Sequence, residues 1–219
     1  MRHRRKEQSL SPPPFKLWSV TEPKPSYEQL RFAMKEWVEL SDLQWRTFSS
    51  IFRERAVAAG TPVLYPGSAD YELMFVCEGL LRFYYLSENG TASNKAFVTG
   101  GSFAGPLAAA GLGLPIMYGV EALEDTTLLA ADFKDFTALF EEHPVFDRFG
   151  RKLAELILRR KELRTRSLLQ KTAKERYIDF RQQHPDLMVR VPQFHIASYL
   201  GVTEASLSRL KREVREQFA

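Results

Sequence analysis

The 219-residue sequence has a single cysteine, Cys77, too few for an internal disulfide, a thiolate zinc site or an iron–sulfur cluster, and consistent with a reducing compartment. No window approaches the roughly 18 consecutive apolar residues of a membrane span. The basic start of the chain (Arg2, His3, Arg4, Arg5, Lys6) has no apolar stretch behind it that would direct export. A cytoplasmic location is the expectation, with no membrane partner. Histidine is also sparse: His3, His143, His184 and His195 all lie outside the β-rich stretch 56–131, which removes a histidine-ligated metal from those strands. His143 and His184 each precede a proline at an expected helix end and read as caps, and His195 reads as a helix-surface residue. No Ser-His-Asp or Cys-His arrangement and no Walker glycine loop occurs, so neither an enzyme nor a cofactor is expected. Between Phe103 and Lys134 there is no lysine or arginine at all.

Charge is present but segregated. Residues 1–26 carry six Lys/Arg against two Asp/Glu, residues 27–150 nine against seventeen, and residues 151–219 sixteen against eight. A basic C-terminal third behind an acidic middle suits a nucleic-acid-binding unit fused to something else, because neutralised phosphates supply much of such affinity. Long helices with solvated Lys and Arg would give the same balance.

The pattern along the chain divides it. Residues 1–25 mix the basic cluster with Pro12, Pro13, Pro14, Pro23 and Pro25, cannot bury enough apolar surface to fold alone, and read as a disordered tail. Ser26 with Gln29 and Ser41 with Gln44 have the spacing of helix N-terminal capping boxes, predicting two short helices. From Ala56 to Ala131 short apolar runs are broken by Gly60, Pro66-Gly67, Glu78-Gly79, Asn89-Gly90 and Gly100-Gly101, the mark of an antiparallel sandwich or barrel. Asn89-Gly90 predicts a type I′ hairpin, and Gly100 to Gly113 reads as a loop that could cradle an apolar ligand. After Pro144, Phe149, Leu153, Leu156, Ile157 and Leu163 mark one face of a helix running to Leu169, roughly 39 Å long. A second copy could cover that face, or the chain could fold it onto its own barrel; a homodimer is the expectation.

The informative stretch is VPQFHIASYLGVTEASLSRLKREV. Thr172 with Glu175 opens a helix that Pro185 ends; then Pro192 suits a helix start, Gly201 a left-handed stop and Thr203 a new cap. This is helix, tight turn, helix. In the second helix Leu207, Leu210 and Val214 share a core-facing side, which leaves Ala205, Ser208, Arg209 and Arg212 on the other. Arg209 can donate two bonds to guanine O6 and N7, Ser208 can meet base or phosphate, and Lys211 and Arg212 lie where backbone phosphates would be. Thr203, Ala205, Ser206, Ser208, Arg209, Lys211 and Arg212 are the candidate DNA contacts.

Ile196 to Leu210 resembles the recognition motif of the Crp/Fnr superfamily of bacterial transcription regulators. FVCEGLLRFYY (Phe75 to Tyr85) and GGSFAG (Gly100 to Gly105) resemble that family's cyclic-nucleotide-binding-like domain. The resemblance implies an α+β chain: an N-terminal antiparallel jelly-roll sensor over residues 26–143, a long dimerisation helix over 144–169, and a C-terminal helix-turn-helix domain over 170–219. It implies double-stranded DNA as partner, a dimer, and RNA polymerase as a candidate further partner; the effector is left open. A ligand- or protein-interaction module that kept the fold without binding DNA is the alternative. Two departures stand out. The glutamate often found before the base-facing pair falls one place early, at Glu204, and the phosphate-binding arginine has no counterpart in FAGPLAAAGLGLPIMYGVEAL, where Pro106 or Leu107 holds the usual glutamate position. Cyclic AMP is therefore not the expected ligand, since a buried phosphate without a cation loses its charge-assisted bonds. The usual β-hairpin wing has no room after Arg209 within this sequence, and Leu187 to Val191 is the segment that could replace part of it.

Overall fold

The computed structural model describes residues 26–217; the expected tail over 1–25 lies outside them. In chain order the elements are α1 (Ser26–Met34), α2 (Asp42–Ser50), β1 (Arg53–Val57), β2 (Pro62–Leu64), β3 (Glu72–Glu78), β4 (Leu80–Leu86), β5 (Ala92–Thr99) and β6 (Ser102–Ala104). They continue with α3 (Leu107–Leu112), β7 (Gly119–Ala122), β8 (Thr126–Asp132), α4 (Phe133–Glu142), α5 (Pro144–Gln170), α6 (Ala173–Gln183), α7 (Leu187–Arg190), α8 (Gln193–Leu200) and α9 (Glu204–Gln217).

The strands pair antiparallel in two four-stranded sheets, β1-β8-β3-β6 and β2-β7-β4-β5. This is the jelly-roll expected from the sequence. Apolar residues on β3 explain why its run ELMFVCE does not alternate with polar ones: the strand is covered on both faces. Met74 and Val76 point between the sheets with Leu64, Leu81, Val120 and Leu128. Leu73, Phe75 and Cys77 point the other way, into a second cluster closed by α1, α2, α4 and the first half of α5. Cys77 is buried there as a small apolar residue, its thiol pushed up to about 11 chiefly by loss of water.

Several local expectations change on contact with the structure. Ser41 and Gln44 form their reciprocal capping box, but α1 begins at Ser26 itself, which is its first helical residue. The Asn89-Gly90 turn is not a two-residue hairpin. Five residues join Leu86 to Ala92, Gly90 N–H donates to Ser87 O at 2.9 Å, and Gly90 sits in the left-handed region, at φ 81°. Asn89 instead uses its side-chain oxygen to accept from the Ser87 hydroxyl and from Thr91 N–H. Gly100 to Gly113 is more than a loop, since it contains β6 and α3.

The long helix α5 has the expected extent, 27 residues beginning with Pro144 at its first turn, behind His143, which ends α4. Its stripe does not serve as expected. Phe149 and Leu153 are buried in the chain's own helical cluster and Ile157 packs against it. Leu156 is half-buried and Leu163 exposed. The face proposed for a second copy is thus taken up, in its first half, by the barrel.

Candidate nucleic-acid interface

Thr172 opens α6 with a formed capping box, its hydroxyl accepting from Glu175 N–H while the Glu175 carboxylate accepts from Thr172 N–H at 2.8 Å. These bonds hold the Glu175 carboxyl below its usual range. His184 caps the far end of α6, and burial holds its imidazole below the ordinary value. The Arg176 guanidinium then ties α6 to the end of α8, donating to Leu200 O at 2.9 Å and to Lys171 O at 2.6 Å.

The turn after α8 depends on Gly201 at φ 67°, where an L side chain would be strained. Gly201 N–H donates to Ser198 O and Val202 N–H to Ala197 O, so the last carbonyls of α8 are satisfied. Thr203 caps α9 as the sequence implies, accepting from Ser206 N–H at 3.2 Å. Tyr177, Phe180, Leu187, Val191, Ile196, Ala197, Leu200, Leu207 and Val214 form one buried cluster behind these helices. With Leu207 and Val214 fixed in it and Leu210 half-buried, α9 has one orientation open to it.

Thr203, Ala205, Ser208, Arg209 and Arg212 are exposed, and Ser206 and Lys211 are partly so. Arg209 rests against Ser206, its Nη2 donating to the hydroxyl at 3.3 Å, and Lys211 Nζ donates to Gln193 at 2.7 Å. Both bonds are on the surface and exchange readily for others. Ala205, Ser208, Arg209 and Arg212 form a contiguous surface with small residues first and guanidinium forks beyond, a shape that fits a groove edge.

His195 is not on the surface. Its side lies against β5 at 7% exposure, bonded to Asn94, and burial, then Arg82, push its imidazole down to about 4 while Glu121 opposes them. Nothing in the local sequence signals this, because Asn94 lies 101 residues away. Leu80 joins the helical cluster outright, with Phe97 and Leu123 packed against it. Leu187 to Val191 does not stand in for a wing either. It forms α7, with Leu187 and Val191 buried and Val189 exposed, and Arg190 pairs bidentately with Glu124 at 3.0 and 2.7 Å while also donating to Gly79 O. The C-terminal helices are therefore carried on the outer face of the second sheet.

The segment without cations, 103–133, is not remote from one. Lys95 on β5 places its amine 3.4 Å from the centre of the Tyr118 ring, near Tyr85 and Phe83, with burial and then Lys161 lowering it to about 8. Nothing in the residues around Lys95 signals this approach, because Tyr118 belongs to a distant part of the chain. Among the described residues no group of three or more His, Cys, Asp or Glu is placed to hold a metal, and none of the helices is long and apolar enough to cross a membrane.

A β-roll joined by a long helix to a helix-turn-helix defines the class of this chain. Residues 54–143 match the cyclic nucleotide-binding domain family. Over about three quarters of its length or more the chain shares its fold with solved structures, one of them described as a Crp/Fnr-family regulator, as the sequence resemblance implied. FixK2 from Bradyrhizobium japonicum is 20% identical, with 76% of this chain and 86% of that one covered at a TM-score of 0.67. A CooA variant from Carboxydothermus hydrogenoformans is 22% identical, with 78% and 79% covered at 0.62. A transcriptional regulator assigned to the Crp/Fnr family from Eubacterium rectale is 16% identical, with 81% and 85% covered at 0.65. No curated protein matches the chain by sequence.

Proposed function

We propose that this protein is a cytoplasmic, DNA-binding transcription regulator of Crp/Fnr type, without catalytic activity, that acts as a homodimer and lays α9 in the major groove. The observation that carries the reading is the exposed face Ala205, Ser208, Arg209 and Arg212, held outward by Leu207 and Val214 on a chain with this fold. In this reading residues 26–143 are the sensor domain, 144–169 the connecting helix and 170–219 the DNA-binding domain, with Thr203, Ser206 and Lys211 completing the contact set. RNA polymerase is the expected partner at the promoter.

Selection of bound duplexes from a random-sequence pool tests it, and should return a two-fold symmetric site. On that site Arg209→Ala should lose about 1–3 kcal/mol and relax preference at one base pair. Lys211→Ala and Arg212→Ala should each weaken binding to every duplex alike and reduce the salt slope by about 1. If Arg209→Ala binds the selected site and a scrambled duplex as the parent does, at matched salt, α9 does not read DNA, and a module that interacts with ligand or protein takes its place.

Cyclic AMP and cyclic GMP should not bind the roll. The space between the sheets is filled by apolar side chains, and residues 103–133 offer a phosphate no cation. Calorimetric titration with either nucleotide should give no saturable heat at micromolar concentrations, in the parent and in Lys95→Ala alike. Saturable binding that Lys95→Ala removes would show that the caged amine supplies the missing charge.

A further inference from the structure

Strand β5 ends its sheet, so one side of its backbone needs partners from elsewhere. Ser198 on α8 provides them: its hydroxyl accepts Asn94 N–H at 2.9 Å and donates to Ala92 O at 3.4 Å, as a neighbouring strand would. Around it the polar groups of the seam form a chain with its directions fixed. Glu121 accepts from Arg82 Nη2 at 2.8 Å, and Asn94 Oδ1 accepts from Arg82 Nη1 at 3.0 Å. The Asn94 amide nitrogen is left facing α8, where it donates to His195 O at 2.9 Å and meets His195 Nδ1 at 3.1 Å. An amide nitrogen only donates, so His195 Nδ1 must accept, and the ring is neutral with its proton on Nε2.

We propose that Asn94, His195 and Ser198 form an acid-released latch that docks the helix-turn-helix unit on the edge of the sensor sheet. A proton added at Nδ1 faces the Asn94 amide donor, and the new charge lies beside the Arg82 guanidinium, so the ring cannot stay in place and remain charged. The charged groups facing His195 are Arg82 from β4 and Glu121 from β7; β5 contributes the neutral Asn94, and the Phe194 ring lies against the imidazole. Farther along the seam stand Arg190 with Glu124 and Asp186, His184 near Arg160, and Arg164 over the Tyr199 ring at 4.0 Å. The docked imidazole is depressed from 6.5 to about 4. Docking is therefore fully favoured above pH 6.5 and is lost as pH falls from there toward 4. In the DNA-binding reading, on which only this consequence rests, the latch sets the angle at which α9 meets the groove.

The test uses the DNA-free full chain, so that its failure is separate from any failure to bind DNA. Nuclear magnetic resonance titration of the His195 ring nitrogens should show a midpoint near 4, and Asn94→Ala should move it toward 6.5. Exchange protection of the Asn94 amide, corrected for the intrinsic pH dependence of exchange, should fall about 25-fold between pH 7.5 and pH 5, the ratio those two midpoints dictate. His195→Asn, which offers an oxygen near the place of Nδ1 and does not titrate, should keep the amide protected and remove the pH dependence. A parent midpoint at the ordinary histidine value, a midpoint that Asn94→Ala does not move, or protection flat across that range would overturn the latch.

Discussion

Phe149→Ala should lower the unfolding free energy by about 4 kcal/mol and the melting temperature by roughly 8–16 °C, the range for a chain of this size. The Phe149 ring is inaccessible to solvent and meets four other aromatic rings, from α2, β6, α4 and the turn that follows α1. Trp37 lies at 5.6 Å, Phe48 at 5.8 Å, Phe103 at 5.0 Å and Phe136 at 5.8 Å, all edge-on to it. Edge-to-face pairs contribute beyond the area they bury, so the loss should fall in the upper part of the range for a buried phenylalanine. Four rings from separate parts of the chain cannot collapse together into the space, which leaves most of the cavity open. Denaturant titration should show a lower midpoint with an unchanged slope, and Phe149→Leu should recover more than half of the loss. A loss under about 1 kcal/mol would mean that the cluster closes over the cavity and that α5 is not anchored at this ring.

The same residue marks where the sequence was legible and where it was not. Helical spacing correctly put Phe149 and Leu153 on one face, because periodicity is a property of the segment alone. Which surface covers that face is a tertiary matter, settled by Trp37, Phe48 and Phe103, and the spacing is silent on it. The capping boxes at Ser41 and Thr172, the stop at Gly201 and the cap at Thr203 were readable because each is completed within a few residues. The surroundings of His195 and Lys95 are not legible for the opposite reason: Asn94 and Tyr118, which define them, belong to distant parts of the chain. A histidine between Phe194 and Ile196 carries no local mark of burial. The candidate DNA contacts lie between these cases, since helical geometry places them outward but their partner is another molecule.

Leu158→Glu combined with Leu169→Glu should convert the protein to a monomer at micromolar concentration and lower affinity for a two-fold site by more than about 100-fold. The reasoning follows α5 around its axis at about 100° per residue. Phe149, Leu153 and Ile157 face the helical cluster, and farther along the same side Arg164 covers the Tyr199 ring and Leu168 lies beside Gly201. The first half of that side is buried within one chain and its second half is partly covered. On the opposite side Ala154, Leu158, Thr165 and Leu169 follow one another at steps of four, seven and four, the spacing of a seam with one position missing, and Leu158 and Leu169 are 58% and 79% exposed. Burying the four leucines that two copies would bring together gains about 6–12 kcal/mol, of the same order as the cost of associating two bodies. A balance that close cannot absorb four carboxylates placed on the seam. Because both positions are exposed in the single chain, circular dichroism and thermal stability of the monomer should stay near those of the parent. Sedimentation that finds the parent already monomeric, or the double variant still dimeric, would reject this face as the dimer contact.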